Sequence, residues 1–246
     1  RLRRACESLT MDALLSVQGL SSGYRHLKVL YDIELEIAAG SVTAIIGPNG
    51  HGKSTLLKAL SGLLPTWTGT AIFDGAPLPA PTPERARAGL ILVPQGDQLF
   101  MNMTVEENLL MGAFPRSDKA GIRRSLDEVY ALFPRLHERR GQRANSLSGG
   151  ERRMAGIGRG MMAAGRLIMI DEPSLGLAPL IIEQIYDALA QLAKDGPAIL
   201  VVEENPSRVA GVASRFYLMD GGTFAWSGSS DELERSADVL KTYLGG

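Results

Sequence analysis

The residues best equipped for chemistry lie in one octapeptide. Gly47-Pro48-Asn49-Gly50-His51-Gly52-Lys53-Ser54 fits the spacing G-x-x-x-x-G-K-[ST] in full. It follows a short apolar run, Val42 to Ile46, and precedes a helical stretch, so the loop joins a predicted strand to a predicted helix. Gly47, Gly50 and Gly52, with Asn49 between them, let successive backbone N–H groups turn inward on a phosphate, and the helix N-terminus adds its favourable dipole. Lys53 brings a cation to the β- and γ-phosphates of a nucleotide, the Ser54 hydroxyl can ligate Mg2+, and Thr55 extends the nucleotide-binding set. A second constellation, Leu167-Ile168-Met169-Ile170-Asp171-Glu172, is an apolar run ending in two acids. At the carboxyl edge of a parallel sheet, where ligands bind in open α/β folds, Asp171 suits a Mg2+ shell and Glu172 suits polarising an attacking water. The pair of motifs points to ATP and Mg2+.

Bulk properties narrow the class. The chain has 246 residues, 45% hydrophobic and 22% charged, enough for one large α/β domain or two small ones. A formal net charge of -1 and the lack of a long basic run give no reason to expect nucleic acid as a partner. Cys6, the only cysteine, excludes an internal disulfide or a cysteine-built metal site and fits a reducing compartment. No apolar stretch approaches the ~18 residues that span a bilayer, so membrane association is expected to run through a partner. Arg1 to Thr10 is basic but lacks the apolar core of a signal peptide, and reads as an extension ahead of a natural start at Met11.

The elements that must position these motifs alternate along the chain, as in α/β proteins. Val42 to Ile46, Leu90 to Val93, Leu167 to Ile170 and Ala198 to Val202 read as buried parallel strands, and the alternating Ile33, Leu35 and Ile37 as a half-exposed antiparallel strand. Ile182, Ile185, Leu189 and Leu192 are spaced as one helix face between Pro179 and Gly196. Lys119 to Phe133 and Thr104 to Ala113 predict a helical insertion, and Pro77, Pro79, Pro81 and Pro83 predict a loop.

Leu147-Ser148-Gly149-Gly150-Glu151, shortly before the acidic strand, resembles the LSGG-[EQ] signature of the ABC ATPases. A serine hydroxyl, two glycine N–H groups and a helix N-terminus make a second anion site. The resemblance implies that Ser148, Gly149 and Gly150 contact the γ-phosphate of ATP held by an opposite subunit, in a head-to-tail dimer. It further implies that Tyr24 stacks on adenine, that Gln95 in Val93-Pro94-Gln95-Gly96 reaches Mg2+ and water, and that Ser174-Leu175-Gly176-Leu177 crosses the dimer interface. The implied architecture is a P-loop core with a mostly parallel sheet, an N-terminal antiparallel β subdomain and a helical insertion. As a single ABC domain over 11–246, its core covers 11–95 and 166–246 and its insertion 96–165, with 1–10 as the extension. Thr104 to Leu109, Phe133 to Leu136, Asp171 to Pro179 and the closing Tyr243-Leu244-Gly245-Gly246 look like the smaller ATPase subunit of branched-chain amino acid importers and their amide and urea relatives. By that resemblance the partners are a second ATPase subunit, identical or not, two membrane permeases and, indirectly, a periplasmic binding protein. The chain would then sit at the inner face of a prokaryotic plasma membrane. A groove near Gln95 to Asn102 would receive a short permease helix; Leu99, Phe100, Met101 and Met103 suit either that contact or anchoring of the loop itself. A soluble ABC ATPase serving assembly, or a regulatory subunit with impaired hydrolysis, are the alternatives.

Two features depart from the family pattern. Val202-Glu203-Glu204-Asn205 puts Glu204 where a histidine or glutamine would sense the γ-phosphate. Those side chains donate a hydrogen bond, whereas an ionised glutamate only accepts. Like-charge repulsion should protonate Glu204 or turn it away, and either slow hydrolysis or leave Glu172 to carry it regardless. Gly156, Gly158 and Gly160, after the signature, each cost a helix about 1 kcal/mol relative to alanine, which close packing would justify and a soft helix would not.

Overall fold

The computed structural model describes residues 13–96, 98–194 and 196–235. The extension at 1–10, Cys6, the Met11 start and the closing Tyr243 to Gly246 lie outside the described residues.

The chain opens with two long antiparallel strands, β1 (Ala13–Tyr24) and β2 (Leu27–Ala38). Ile33, Leu35 and Ile37 alternate inward along β2 as the sequence predicts, but the strand is longer than that alternation suggests. Register shifts interrupt the ladder where Gly19 and Asp32 take left-handed backbone conformations (φ 62° and 52°), and each inserts an extra residue that breaks the period of two. After β3 (Val42–Ile46) and α1 (Lys53–Leu60), β4 (Thr66–Phe73) pairs with β1, and the two-residue β5 (Ala76–Pro77) closes a four-stranded sheet in the order β2-β1-β4-β5.

The predicted proline loop is only partly a loop. Thr82–Arg87 forms α2, with Pro83 in its first turn, where a missing N–H is no handicap. From this helix the buried Arg85 donates to the carbonyls of Ala59 and Leu60 at 2.7 Å, capping the end of α1 with a cation.

The larger sheet holds the chemistry. Following β6 (Leu90–Val93) come four helices: α3 (Val105–Gly112), α4 (Lys119–Leu132), α5 (Pro134–Glu138) and α6 (Gly149–Met161). Then β7 (Leu167–Asp171), α7 (Pro179–Lys194), β8 (Ala198–Glu203), β9 (Arg215–Asp220), β10 (Thr223–Ser229) and α8 (Ser230–Arg235) complete the described chain. The sheet order is β10-β9-β3-β8-β7-β6, parallel except for β10. Every residue of β3, β7 and β8 is buried because successive side chains enter two different cores. Ile168, Ile170, Ile199 and Val201 meet Leu109, Val129, Ile157 and Ile185 on one face; Met169, Leu200 and Val202 meet Leu56, Leu57 and the Leu15 and Leu35 side of the smaller sheet on the other.

Close packing accounts for two of the α6 glycines. A β-carbon on Gly158 would stand 2.8 Å from Val129 and 2.9 Å from Leu109, and one on Gly160 would overlap the Val93 side chain. The helix is pressed onto its neighbours rather than soft.

Candidate active site

Parallel strands deliver their following loops to one edge of the sheet, and the sequence-predicted residues arrive there from four of them: the loop after β3, Gln95 after β6, Asp171 and Glu172 at β7, and Glu204 after β8. In the first loop Gly47, Gly50 and Gly52 have φ of 150°, 83° and 106°, conformations that a side chain resists, so glycine is what allows the turn. At Gly47 there is no room either, because a β-carbon would collide with the Met219 carbonyl. His51, one residue before Gly52, places Nδ1 2.9 Å from Asp220 Oδ1 and accepts the Gly222 N–H at its carbonyl, tying the loop to the β9–β10 turn.

Lys53 is buried, and its ammonium donates to the carbonyls of Gly47 at 2.8 Å and Pro48 at 2.9 Å. Burial lowers its pKa, while Glu172, Glu204, Asp171 and Glu203 each push the other way. Next to it in the first turn of α1, Ser54 Oγ donates to Asp171 Oδ1 at 3.0 Å. Thr55 is buried in the same turn. Burial raises the Asp171 carboxyl above the usual aspartate range, opposed by the Ser54 bond.

Glu172 has φ 47°, a left-handed conformation uncommon for a residue with a side chain, and its N–H donates to the Val202 carbonyl at 3.0 Å. Its Oε2 accepts from Gln95 Nε2 at 2.9 Å, and its Oε1 lies 4.0 Å from the Lys53 ammonium. Burial raises its pKa; Lys53 opposes that, and Asp171, Glu203 and Glu204 add to it. Glu204 is exposed and accepts from Asn49 Nδ2 at 3.1 Å, so it is directed at the phosphate loop rather than away from it. Tyr24, at the end of β1, is 41% exposed, and its hydroxyl lies 3.5 Å from Lys58 Nζ of α1.

The arrangement suits oxyanions and a hard cation. Ser54 Oγ and Asp171 Oδ1 are adjacent oxygen donors of the kind Mg2+ takes, and Gln95, its amide nitrogen engaged by Glu172, has its amide oxygen left to contribute. The donor set therefore fits the metal.

Ser148 caps α6 as the signature predicts. Its hydroxyl accepts from the Glu151 N–H at 3.3 Å and the Glu151 carboxylate accepts from the Ser148 N–H at 2.9 Å, a complete capping box. Burial works against ionisation of Glu151, but the Ser148 bonds and the Arg139 guanidinium at 2.6 Å outweigh it and hold its carboxyl below the usual range. Gly149 is exposed at this terminus and Gly150 is packed under Ile181, where a β-carbon would stand 2.8 Å away.

With phosphate loop, acidic strand and capped signature helix in place, comparison with known proteins decides the family. The ABC transporter family profile matches residues 30–175. The chain belongs to the ABC transporter family. As an ABC ATPase it binds nucleotide. It is similar to the high-affinity branched-chain amino acid transport ATP-binding protein BraG of Pseudomonas aeruginosa, with 39% identity covering 95% of this chain and 100% of that one. It is also similar to the LivF protein of Archaeoglobus fulgidus, a probable branched-chain amino acid transport ATP-binding protein, at 36% identity over 94% of this chain and 99% of that one. Among solved structures, an ATP-binding cassette of an ABC transporter in its ADP conformation superposes with a TM-score of 0.84 at 26% identity, covering 96% of this chain and 100% of that one.

Sequence reasoning missed the residues beneath the site. Arg153 of α6, 4% exposed, donates to the carbonyls of Pro94, Gly96, Asp171 and Pro173. Glu203, 1% exposed, accepts from the Ser174 N–H at 3.1 Å and from the Tyr186 hydroxyl at 2.6 Å, while Arg208 lies 3.8 Å from its other oxygen and donates to Ser174 Oγ at 2.6 Å. A charged residue inside an otherwise apolar stretch was the available signal for Glu203, at the end of Ala-Ile-Leu-Val-Val.

Proposed function

We propose that this chain is the ATP-hydrolysing motor of a solute importer, working as half of a head-to-tail pair of ATPase subunits. The observation that carries the reading is the linkage of four loops at one sheet edge by Ser54–Asp171, Gln95–Glu172 and Asn49–Glu204.

The phosphate loop and Lys53 bind the nucleotide phosphates, and Tyr24 stacks on the base. Ser54, Gln95 and Asp171 would hold Mg2+, which when bound offsets phosphate charge. Glu172, deprotonated and fixed by Gln95, orients the attacking water, so that positioning and electrostatics supply most of the rate. Ser148, Gly149 and Gly150 face the γ-phosphate of the partner's nucleotide, and loss of that phosphate releases the pair, a rigid-body opening.

Among the described residues no helix is long and apolar enough to cross a membrane; permease subunits, as the transport relatives imply, carry the force to the membrane. Phe100, Met101, Leu110, Met111 and Phe114 are exposed apolar side chains of the insertion, available to a permease helix; Leu99 and Met103 are only partly exposed. The names of the BraG and LivF relatives favour branched-chain amino acids as cargo; related amides, and a peripheral place at the inner membrane face, follow from the sequence resemblance alone.

The test is reconstitution with the partner ATPase, permeases and binding protein in proteoliposomes. ATP-dependent uptake of labelled leucine is expected, and Glu172→Gln should cut turnover by about 10²-fold or more while nucleotide binding persists. Unaltered turnover in the variant would refute the assignment of Glu172; hydrolysis with no uptake of any amino acid or amide would refute the importer reading.

A further inference from the structure

Arg153 brackets the two residues whose contact defines the water-activating end of the site. Its Nη1 donates to Pro94 O at 3.1 Å and Gly96 O at 3.2 Å, the carbonyls on either side of Gln95. Its Nη2 donates to Asp171 O at 2.6 Å and its Nε to Pro173 O at 3.3 Å, the carbonyls on either side of Glu172. One guanidinium therefore grips the backbone flanking both partners of the 2.9 Å Gln95–Glu172 hydrogen bond.

Only a planar fork with several fixed donors can reach four carbonyls at once; an ammonium is a single point. The grip is also dry, because Arg153 is buried under the loops it holds. In that setting bonds from a charged donor are strong, and deleting the donor leaves buried carbonyls unsatisfied. Arg153 belongs to α6, the helix capped by Ser148 whose first turn begins with Gly149 and Gly150. Gly158 and Gly160 of that helix are packed too closely against Leu109, Val129 and Val93 for it to drift.

We propose that Arg153 is a positioning residue for hydrolysis: it fixes the spacing between the Gln95 loop and the Asp171–Glu172 strand end, and so the readiness of Gln95 and Asp171 to take Mg2+. This rests on the assignment of Ser54, Gln95 and Asp171 to the metal. The proposed role is exerted through the backbone carbonyls that the guanidinium grips, with the metal held by other residues. Support of this kind for metal ligands is commonly worth 10- to 100-fold in metal affinity or activity.

The experiment compares wild type, Arg153→Lys and Arg153→Gln in the full chain, with its partner subunit for turnover. Nucleotide binding is measured with a fluorescent ATP analogue in EDTA, and the Mg2+ requirement by the thermal shift that ATP produces as Mg2+ is titrated. In EDTA both variants should bind within about twofold of wild type, since the phosphate loop is unaltered. The Mg2+ concentration for half-maximal thermal shift should rise roughly tenfold in Arg153→Gln and less in Arg153→Lys, with kcat falling in the same order. Unchanged Mg2+ titration and kcat in both variants would overturn the proposal. So would equal losses of EDTA and Mg2+ binding, or failure of both variants to fold, because either marks a general structural role. If wild-type ATP binding itself proves indifferent to Mg2+, the metal assignment fails instead, a result distinguishable from the others.

Discussion

The Tyr186 hydroxyl donates to Glu203 Oε1 at 2.6 Å, across the gap between α7 and the buried end of β8. The same oxygen receives the Ser174 N–H, so a single carboxylate holds α7 and the loop after Glu172 at one point. Burial raises the Tyr186 pKa first, and the neighbouring Glu203 charge and bond raise it further, so the phenol stays a donor throughout the physiological range.

Tyr186→Phe removes that donor and leaves the carboxylate undersupplied. A hydrogen bond to a charged group contributes about 1.5–3 kcal/mol, so the variant should lose about 2 kcal/mol in denaturant unfolding and roughly 5 °C in Tm. Stability equal to wild type would mean that Arg208 and Ser174 alone satisfy Glu203.

The acid limb of the pH–rate profile should report Glu172. In the proposed mechanism the residue works deprotonated, and its pKa is raised by burial and by Asp171, Glu203 and Glu204 against the pull of Lys53. Turnover is therefore full above that raised pKa and lost as pH falls through it, at a higher pH than an ordinary glutamate near ~4.3 would give. Glu204→Gln removes one of the raising charges and the like-charge approach to the γ-phosphate. If Glu204 faces the γ-phosphate as proposed, the variant should move the limb to lower pH and raise kcat in the assembled transporter by about threefold, or ~0.7 kcal/mol of barrier. A rate that is unchanged or lower would show that Glu204 does not restrain its own site.

Gly160→Ala tests the packing of α6. Helix propensity favours alanine by about 1 kcal/mol, but the new methyl runs into Val93, a buried β-branched side chain with little rotamer freedom. Overpacking of this kind costs about 1–3 kcal/mol, so a net loss of stability is expected on urea unfolding. A gain would show that the helix has slack.

Asn108 predicts a separation of hydrolysis from coupling. Fully buried, it accepts from the Phe100 N–H at 2.8 Å and donates to the Phe100 and Thr104 carbonyls at 3.0 and 2.9 Å, fixing the loop that presents Phe100 and Met101. Asn108→Ala should leave basal ATPase of the chain near wild type and cut substrate-stimulated ATPase of the reconstituted transporter several-fold. Equal loss of both activities would refute a role confined to the docking face.

The legible parts of this molecule are those written contiguously. Gly47 to Ser54 and Leu167 to Glu172 carry their chemistry in consecutive residues, and the apolar runs at 42–46, 90–93, 167–170 and 198–202 became strands because both faces of that sheet are covered. Residues assembled across distance were not legible: Arg153 answers to carbonyls roughly 20 and 60 positions away, and nothing local distinguishes it from Arg152 beside it. Pro83 illustrates a local ambiguity, since proline suits a loop and the first turn of a helix equally, and only the Arg85 cap on α1 favours the helix. At Asp32 the bulge hid a twelve-residue strand behind a broken alternation.

The crowding of Asp171, Glu172, Glu203 and Glu204 around the one ammonium of Lys53 makes the pocket a filter on ionic form. Those carboxylates repel a bare ATP polyanion even as the phosphate loop and Lys53 attract it, whereas the magnesium complex brings its own neutralisation, and the preference for the complex should be strongest at low ionic strength. Excess metal-free ATP should then inhibit turnover only weakly. On that footing the speciation of the nucleotide, set by the magnesium-to-ATP ratio around the protein, determines how often the motor is primed.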